Sequence, residues 1–316
     1  MSAQVMRSLV CADYGLPASV ECVLYHRGVN DTYLLSSRGT RFALRLYRCR
    51  WRSMESIDGE LRALRHVHSR GAAVAMPIPR TDGLLVTDIR APEGTRQAVL
   101  FEWAPGEIPR YVDFAHARSY GRELARLHLA GDSVPADGTR PSMDMEYLFR
   151  NPVSQILSRL GVSPISLKVG VLAERVQELI RHAETSLYDW GFCHGDVWAA
   201  NARIHQDRVV LFDFDLCGSG WRLSDLAMYR LGARLCGVEE LAWKPFISGY
   251  LEIRPGISGC LRLTGLFMIL IRLVSAAHQI GLANEIGVAS PTDEFLGDMI
   301  TFCERIATEI SFDRYQ

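Results

Sequence analysis

Eight residues constrain this chain more than any others: His194-Gly195-Asp196-Val197-Trp198-Ala199-Ala200-Asn201. A short apolar stretch follows them and ends in Leu211-Phe212-Asp213-Phe214-Asp215. An aspartate, an asparagine five positions on, and a second aspartate beyond a hydrophobic strand divide the chemical labour. Asp196 can accept or orient the proton of an attacking hydroxyl. Asn201 and Asp213 offer hard oxygen ligands to a Mg²⁺ ion carrying phosphates. A reaction with a loose, charge-spread transition state needs positioning and charge neutralisation more than covalent chemistry, and this set supplies both.

Taken alone, Asp213-Phe214-Asp215 has two other readings. It matches the D-x-D metal motif of glycosyltransferases, and it matches a turn after a strand, where Asp is common. The upstream loop argues against both. The protein-kinase loop is written H-R-D-x-x-x-x-N with D-F-G downstream; here the arginine is Gly195 and the glycine is Asp215. The next block, Gly218-Ser219-Gly220-Trp221-Arg222-Leu223-Ser224-Asp225-Leu226-Ala227, carries a glycine turn into a helix opening on D-L-A. In this form and order the motifs resemble the aminoglycoside phosphotransferase and choline kinase superfamily, particularly its homoserine-kinase-like and stress-response-kinase-like members. The resemblance covers most of the chain, at motif level only in the helical part.

The resemblance implies an α+β, bilobal, protein-kinase-like fold. Residues 1–103 would form a small antiparallel-sheet N-lobe, and residues 104–316 a mainly helical C-lobe with the catalytic loop, metal site and acceptor site. It implies an ATP- and Mg²⁺-dependent phosphotransferase moving the γ-phosphate to a hydroxyl of a small molecule. The acceptor would be an amino alcohol or hydroxy amino acid such as choline or homoserine, or an aminoglycoside-type antibiotic. The absence of an acidic C-terminal run favours the former. Two alternatives stand beside this: a protein Ser/Thr kinase of the stress-response type, and a catalytically silent nucleotide-binding module.

Periodicity agrees with two lobes. Residues 3–13 read as a helix and 19–27, 32–36 and 41–47 as strands, punctuated by Gly28-Val29-Asn30-Asp31 and Ser37-Arg38-Gly39-Thr40. Ile57, Leu61, Leu64 and Val67 recur at helical spacing up to Gly71, and strands follow at 83–88 and 97–102. After Ala104-Pro105-Gly106 the pattern is helical: 120–128, 171–187, 223–236, 239–251, 257–281 and 292–310. Residues 132–164 hold four prolines and Gly138 and read as a loop-rich insertion.

There is no Walker A motif and no N-terminal G-x-G-x-x-G. By resemblance, the turn Gly28 to Thr32 covers the phosphates, through backbone amides, Asn30 and Thr32; its plain reading is a hairpin turn. A kinase needs a strand cation on the phosphates, paired with a helix glutamate. The chain has only two lysines, Lys168 and Lys244, so none lies in the N-lobe. Arg45 falls at the strand position, on one face with Ala43 and Tyr47, and Glu60 is the expected partner. Arg48, Arg50 and Arg52 read as surface charges. Adenine is expected at the carbonyl of Glu102 and the amide of Ala104, with Phe101 in the gatekeeper position.

On the acceptor side the sequence says less. Trp198 either lines the acceptor pocket or packs into the C-lobe. Asp215 is a second metal ligand, an amine-binding group or a turn cap. Trp221 and Arg222 read as packing residues, and His194 and Asp225 as supports of the loop. Arg230, Arg234, Arg272 and His278 read first as solvated helix charges, although an arginine facing the site suits a carboxylate-bearing acceptor.

The formal net charge of −1 gives no footprint for nucleic acid or an anionic membrane surface. The eight cysteines form no C-x-x-C pair, and the N-terminus lacks a signal-peptide core, which together point to a cytoplasmic protein. The most apolar run, Leu263 to Ile271, is bracketed by Arg262 and Arg272 and reads as a buried helix, not a membrane span. Oligomeric state is not legible.

Overall fold

Alternating apolar residues in the first hundred positions build a five-stranded antiparallel sheet. In the computed structural model, which describes residues 2–183, 189–286 and 289–312, its strands are β1 (Glu21–Arg27), β2 (Asp31–Ser37), β3 (Thr40–Leu46), β4 (Thr87–Ala91) and β5 (Gly94–Glu102). Their order across the sheet is β1-β2-β3-β5-β4. One face carries Tyr33, Leu35, Leu44, Leu46, Ala98 and Leu100, which pack with Met6 and Val10 of helix α1 (Ala3–Tyr14) into a closed core. Helix α2 (Met54–Ser69) is capped by Ser53 and buries Ile57, Leu61, Leu64 and Val67, the helical spacing seen in the sequence. The strand expected at 83–88 begins later, at Thr87. The intervening residues are used by a turn in which Asp82 Oδ1 accepts from the Leu84 amide at 3.0 Å.

Contacts divide the chain into two units. The first joins Met1–Glu107 with Ala202–Phe212, and the second joins Ile108–Asn201 with Asp213–Gln316. Residues 202–212 form a hairpin of β8 (Ala202–His205) and β9 (Arg208–Leu211), and β9 is tied into the sheet unit by Ala75 N to Leu211 O at 2.9 Å. Gly106 has φ +97°, and any Cβ there would strike the Ile204 carbonyl, so the backbone approach requires glycine.

The second unit is helical, with α3 (Phe114–Ala130), α4 (Asn151–Leu160), α5 (Pro164–His182), α6 (Leu223–Leu235), α7 (Glu239–Leu251), α8 (Thr264–Ile286) and α9 (Asp293–Phe312). A small sheet of β6 (Ser142–Met143), β10 (Gly218–Trp221) and β7 (Trp190–Cys193) lies among them. The prolines of 132–164 do not leave that segment as loop. Pro152 sits in the first turn of α4, where the missing amide costs nothing, and Pro152, Ile156 and Leu160 are buried at a helical repeat. The last residues of the helix expected over 171–187 lie outside the described residues; α5 ends at His182. The stretch Pro255–Ala283 is long and apolar enough to cross a membrane by length and composition, and 61% of its most apolar window is buried inside the fold. Leu266 through Ile271 are all buried, as α8 packs against α4, α6 and α9.

Candidate active site

In the sheet unit the register sets the first half of the chemistry. Thr32 pairs with Arg45 across β2 and β3, and Arg45 pairs with Val99 on β5, so their side chains share one face. Arg45 Nη1 lies 2.7 Å from Glu60 Oε1, with the glutamate fully buried. The turn before β2 is fixed from outside by Arg48. Its amide donates to Asn30 Oδ1 at 3.0 Å, its Nε to the Val29 carbonyl at 2.9 Å and its Nη2 to the Gly28 carbonyl at 3.3 Å. Arg48 is therefore a brace for the turn and not a surface charge. Because Asn30 Oδ1 is engaged by Arg48, an anion would meet this turn at N–H groups. Glu102 is exposed, with its amide donating to Met76 O at 2.9 Å, and Ala104 is buried.

In the helical unit, β7 runs straight into the catalytic-type loop. Gly195 has φ +81°, and a Cβ would strike the Leu216 carbonyl. The loop hangs on one buried carboxylate. Asp225, in the first turn of α6, accepts from the His194 amide at 2.7 Å and the Gly195 amide at 2.9 Å. Its Oδ2 also meets His128 Nε2 at 2.9 Å, while His128 Nδ1 meets the Tyr250 hydroxyl at 2.7 Å. Burial raises the Asp225 carboxyl, but its hydrogen bond with His128 and the nearby imidazoles outweigh this and leave it below the ordinary carboxylate value. Burial pushes the His128 pKa below its ordinary value. His194 itself turns Nδ1 to the Asp196 amide at 3.2 Å and packs on Phe214, ring centroids 4.2 Å apart.

Asp196 and Asn201 close the loop on each other. Asn201 Nδ2 donates to Asp196 Oδ2 at 2.6 Å and to its carbonyl at 3.0 Å. Burial first, and then the neighbouring charge of Asp213, pushes the Asp196 carboxyl up to about 7, with Asp215 adding to the repulsion. Asp213 has a left-handed backbone, φ +66°, a conformation that Asp tolerates better than most residues. Arg140 holds the segment that follows, donating to the carbonyls of Cys217 at 2.9 Å, Asp215 at 2.5 Å and Phe214 at 3.4 Å.

The remaining candidates divide between packing positions and the lining of a cleft. The Trp198 ring lies against Gly232, where a Cβ would come within 3.0 Å of it, so Trp198 packs into the helical unit. The Tyr120 hydroxyl donates to the Trp198 carbonyl at 3.1 Å, and the Ala199 amide donates to the Tyr111 hydroxyl at 3.3 Å. Arg222 is buried, with Asp132 at 2.6 Å and Asp189 at 2.6 Å. Arg272 stacks on Phe295 and Phe302. Arg230 pairs with Glu239 at 2.6 Å and Arg234 with Glu309 at 2.5 Å. These pairs line a cleft of about 820 Å³ together with Trp243 and Lys244.

A metal fits the donor set. Asn201 spends its amide nitrogen on Asp196, which leaves Oδ1 as its one acceptor atom for a cation. Asp213 is a carboxylate in mutual repulsion with Asp196. One amide oxygen and one carboxylate, with phosphate and water oxygens completing the shell, is a common way to hold Mg²⁺. Among the described residues no cluster of three or more His, Cys, Asp or Glu side chains forms a separate metal cage.

The geometry defines a kinase-like phosphotransferase. The chain belongs to the phosphotransferase enzyme family, whose profile matches residues 26–241. It is 37% identical over 261 residues to an uncharacterized protein of Deinococcus radiodurans, covering 81% of this chain and 75% of that one. Its fold is shared by solved structures that include two named kinases. One is a microcompartment-associated aminopropanol kinase, with TM-score 0.73 and 20% identity, covering 97% of this chain and 96% of that one. The other is the amicoumacin kinase hAmiN in complex with AMP-PNP, Ca²⁺ and Ami, with TM-score 0.74 and 19% identity, covering 99% and 94%. The chain is thus a kinase of this family, a phosphotransferase with a hydroxyl acceptor.

Proposed function

We propose that this enzyme transfers the γ-phosphate of ATP, bound with Mg²⁺, to the hydroxyl of a small amino alcohol or hydroxy amino acid. The observation that carries the reading is the 2.6 Å bond from Asn201 Nδ2 to Asp196 Oδ2, which fixes a carboxylate beside a metal-type ligand set. Residues 1–103 are read as the nucleotide lobe. There Arg45, backed by Glu60, holds phosphate oxygens, with the Asn30–Thr32 turn over them and Glu102 and Ala104 on the base. Residues 104–316 supply the chemistry. Asp196 orients the acceptor hydroxyl and receives its proton as the oxygen bonds to the γ-phosphorus and the bond to the bridging β–γ oxygen breaks. Asn201 and Asp213 hold the metal, which when bound neutralises charge on the phosphates.

The acceptor class draws on the cleft beside α6 and α7. Its volume suits a metabolite, and Arg230, Glu239 and Glu309 offer both charge signs to a ligand bearing an ammonium or carboxylate. Gly232 of the same helix packs on Trp198 of the loop, which supports placing the acceptor there. ADP release from Mg·ATP tests this across homoserine, choline, ethanolamine and aminopropanol, with aminoglycosides, macrolides and protein substrates for contrast. Stimulation by one amino alcohol or hydroxy amino acid, lost in Asp196→Asn, is the expected result. Stimulation only by a protein or an antibiotic would overturn the acceptor class.

A further inference from the structure

The unusual feature of the sheet unit is an arginine where this chemistry more often uses lysine, and its surroundings are built for it. A lysine ammonium is a compact charge with rotatable donors. A guanidinium is a planar fork whose plane must be fixed before its donors point anywhere useful. Around Arg45 that plane is set from three sides. Glu60 Oε1 holds Nη1 at 2.7 Å. The Phe101 ring centroid lies 5.0 Å from Cζ and the Tyr47 centroid 5.5 Å, within the range of cation–π attraction. The Tyr47 hydroxyl lies 3.4 Å from the same Nη1 and donates to Glu60 Oε2 at 3.1 Å.

We propose that Tyr47 and Phe101 are positioning residues that fit this nucleotide site to an arginine phosphate ligand: Tyr47 sets Glu60 and Phe101 sets the plane of the Arg45 guanidinium. The proposal rests on the phosphate-holding role given to Arg45 above. Glu60 and Tyr47 are both fully buried, where each hydrogen bond to a carboxylate oxygen counts for more than at the surface, and the Tyr47 hydroxyl supplies one to Oε2 at 3.1 Å. Tyr47 is itself anchored independently of Arg45. Its amide donates to the Gln97 carbonyl at 2.8 Å, and its carbonyl accepts from Arg96 Nε at 2.8 Å. Arg96 is in turn held by Asp31 at 3.1 Å. Phe101 is delivered by register, since it pairs with Ala43, two residues before Arg45 on the same strand face.

The test is calorimetric binding of ATP and of adenosine to the full-length protein and its variants. Tyr47→Phe keeps the ring and removes only the hydroxyl. It is expected to weaken ATP about tenfold while leaving adenosine unchanged. Phe101→Leu is expected to weaken ATP more than adenosine. In an Arg45→Ala background, Tyr47→Phe is expected to have no further effect on ATP. Equal weakening of ATP and adenosine, or full additivity with Arg45→Ala, would overturn the proposal and leave Tyr47 a packing residue. If Arg45→Ala leaves the ATP-to-adenosine ratio unchanged, the phosphate role of Arg45 itself fails and the positioning role falls with it. If Arg45→Ala collapses that ratio and Tyr47→Phe does not change it, only the positioning role fails. Melting temperatures of each variant separate loss of fold from loss of binding.

Discussion

The amide of Asn201 reaches back five residues to Asp196, 2.6 Å from Oδ2 and 3.0 Å from the backbone carbonyl. One side chain thereby orients the proposed proton acceptor and keeps its own oxygen as the acceptor atom for the proposed metal. Asn201→Asp would replace that donor with a carboxylate beside Asp196. We expect kcat to fall by about 10²-fold or more, with nucleotide affinity much less affected, as measured by steady-state kinetics beside calorimetry. Near-normal kcat would detach Asn201 from the chemistry.

Asp213→Ala removes the carboxylate of the proposed metal set. Turnover should fall to background at any Mg²⁺ concentration. A magnesium titration that restores more than a small fraction of the rate would show that the metal is held elsewhere.

The loop's suspension from Asp225 has a stability signature. Asp225 is 1% exposed and serves two loop amides and His128. Asp225→Ala leaves these donors without their acceptor, and the expected cost is about 3–5 kcal/mol in denaturant unfolding. A loss below about 1 kcal/mol would mean that the loop finds other support.

The same network predicts acid sensitivity. The folded His128 pKa is depressed below 6.5, so the unfolded chain takes up that proton first as pH falls. Its stabilising contribution is complete above the unfolded value and declines below it. Asp225 is also depressed, so its contribution is present above the ordinary carboxylate value and is lost as pH falls through the folded pKa. Both effects run in one direction. The unfolding midpoint should drop between about pH 7.5 and 5.5, and His128→Gln should flatten that slope. An unchanged slope in the variant would contradict this assignment.

Arg140 offers a further check. It binds three consecutive-region carbonyls, those of Phe214, Asp215 and Cys217, just after Asp213. Arg140→Ala should lower kcat about tenfold while leaving ATP binding near wild type. Loss of ATP binding with intact kcat would place its role elsewhere.

What was legible in the sequence, and what was not, follows from chain distance. Asp196, Asn201, Asp213 and Asp225 lie within thirty residues of one another in ordered motifs, so spacing alone brings them to notice. The pairing of Arg45 with Glu60 could be anticipated from the family resemblance, which asks for a strand cation and a glutamate in the helix that follows. Arg140, His128, Tyr250 and Tyr111 act on the loop across long sequence separations, and no local pattern marks them. Arg48 looked like a surface charge because the turn it braces lies twenty residues earlier. The helix α4 was hidden by proline content, since Pro152 in a first turn is spelled the same way as Pro152 in a loop.

The most direct measurement of the central claim is single-turnover phosphoryl transfer from Mg·ATP to the identified acceptor by Asp196→Asn, beside the variant's nucleotide affinity. The account predicts a rate reduced by about 10³-fold or more with nucleotide affinity within about threefold of wild type. Transfer at the wild-type rate would contradict it and remove Asp196 from the reaction.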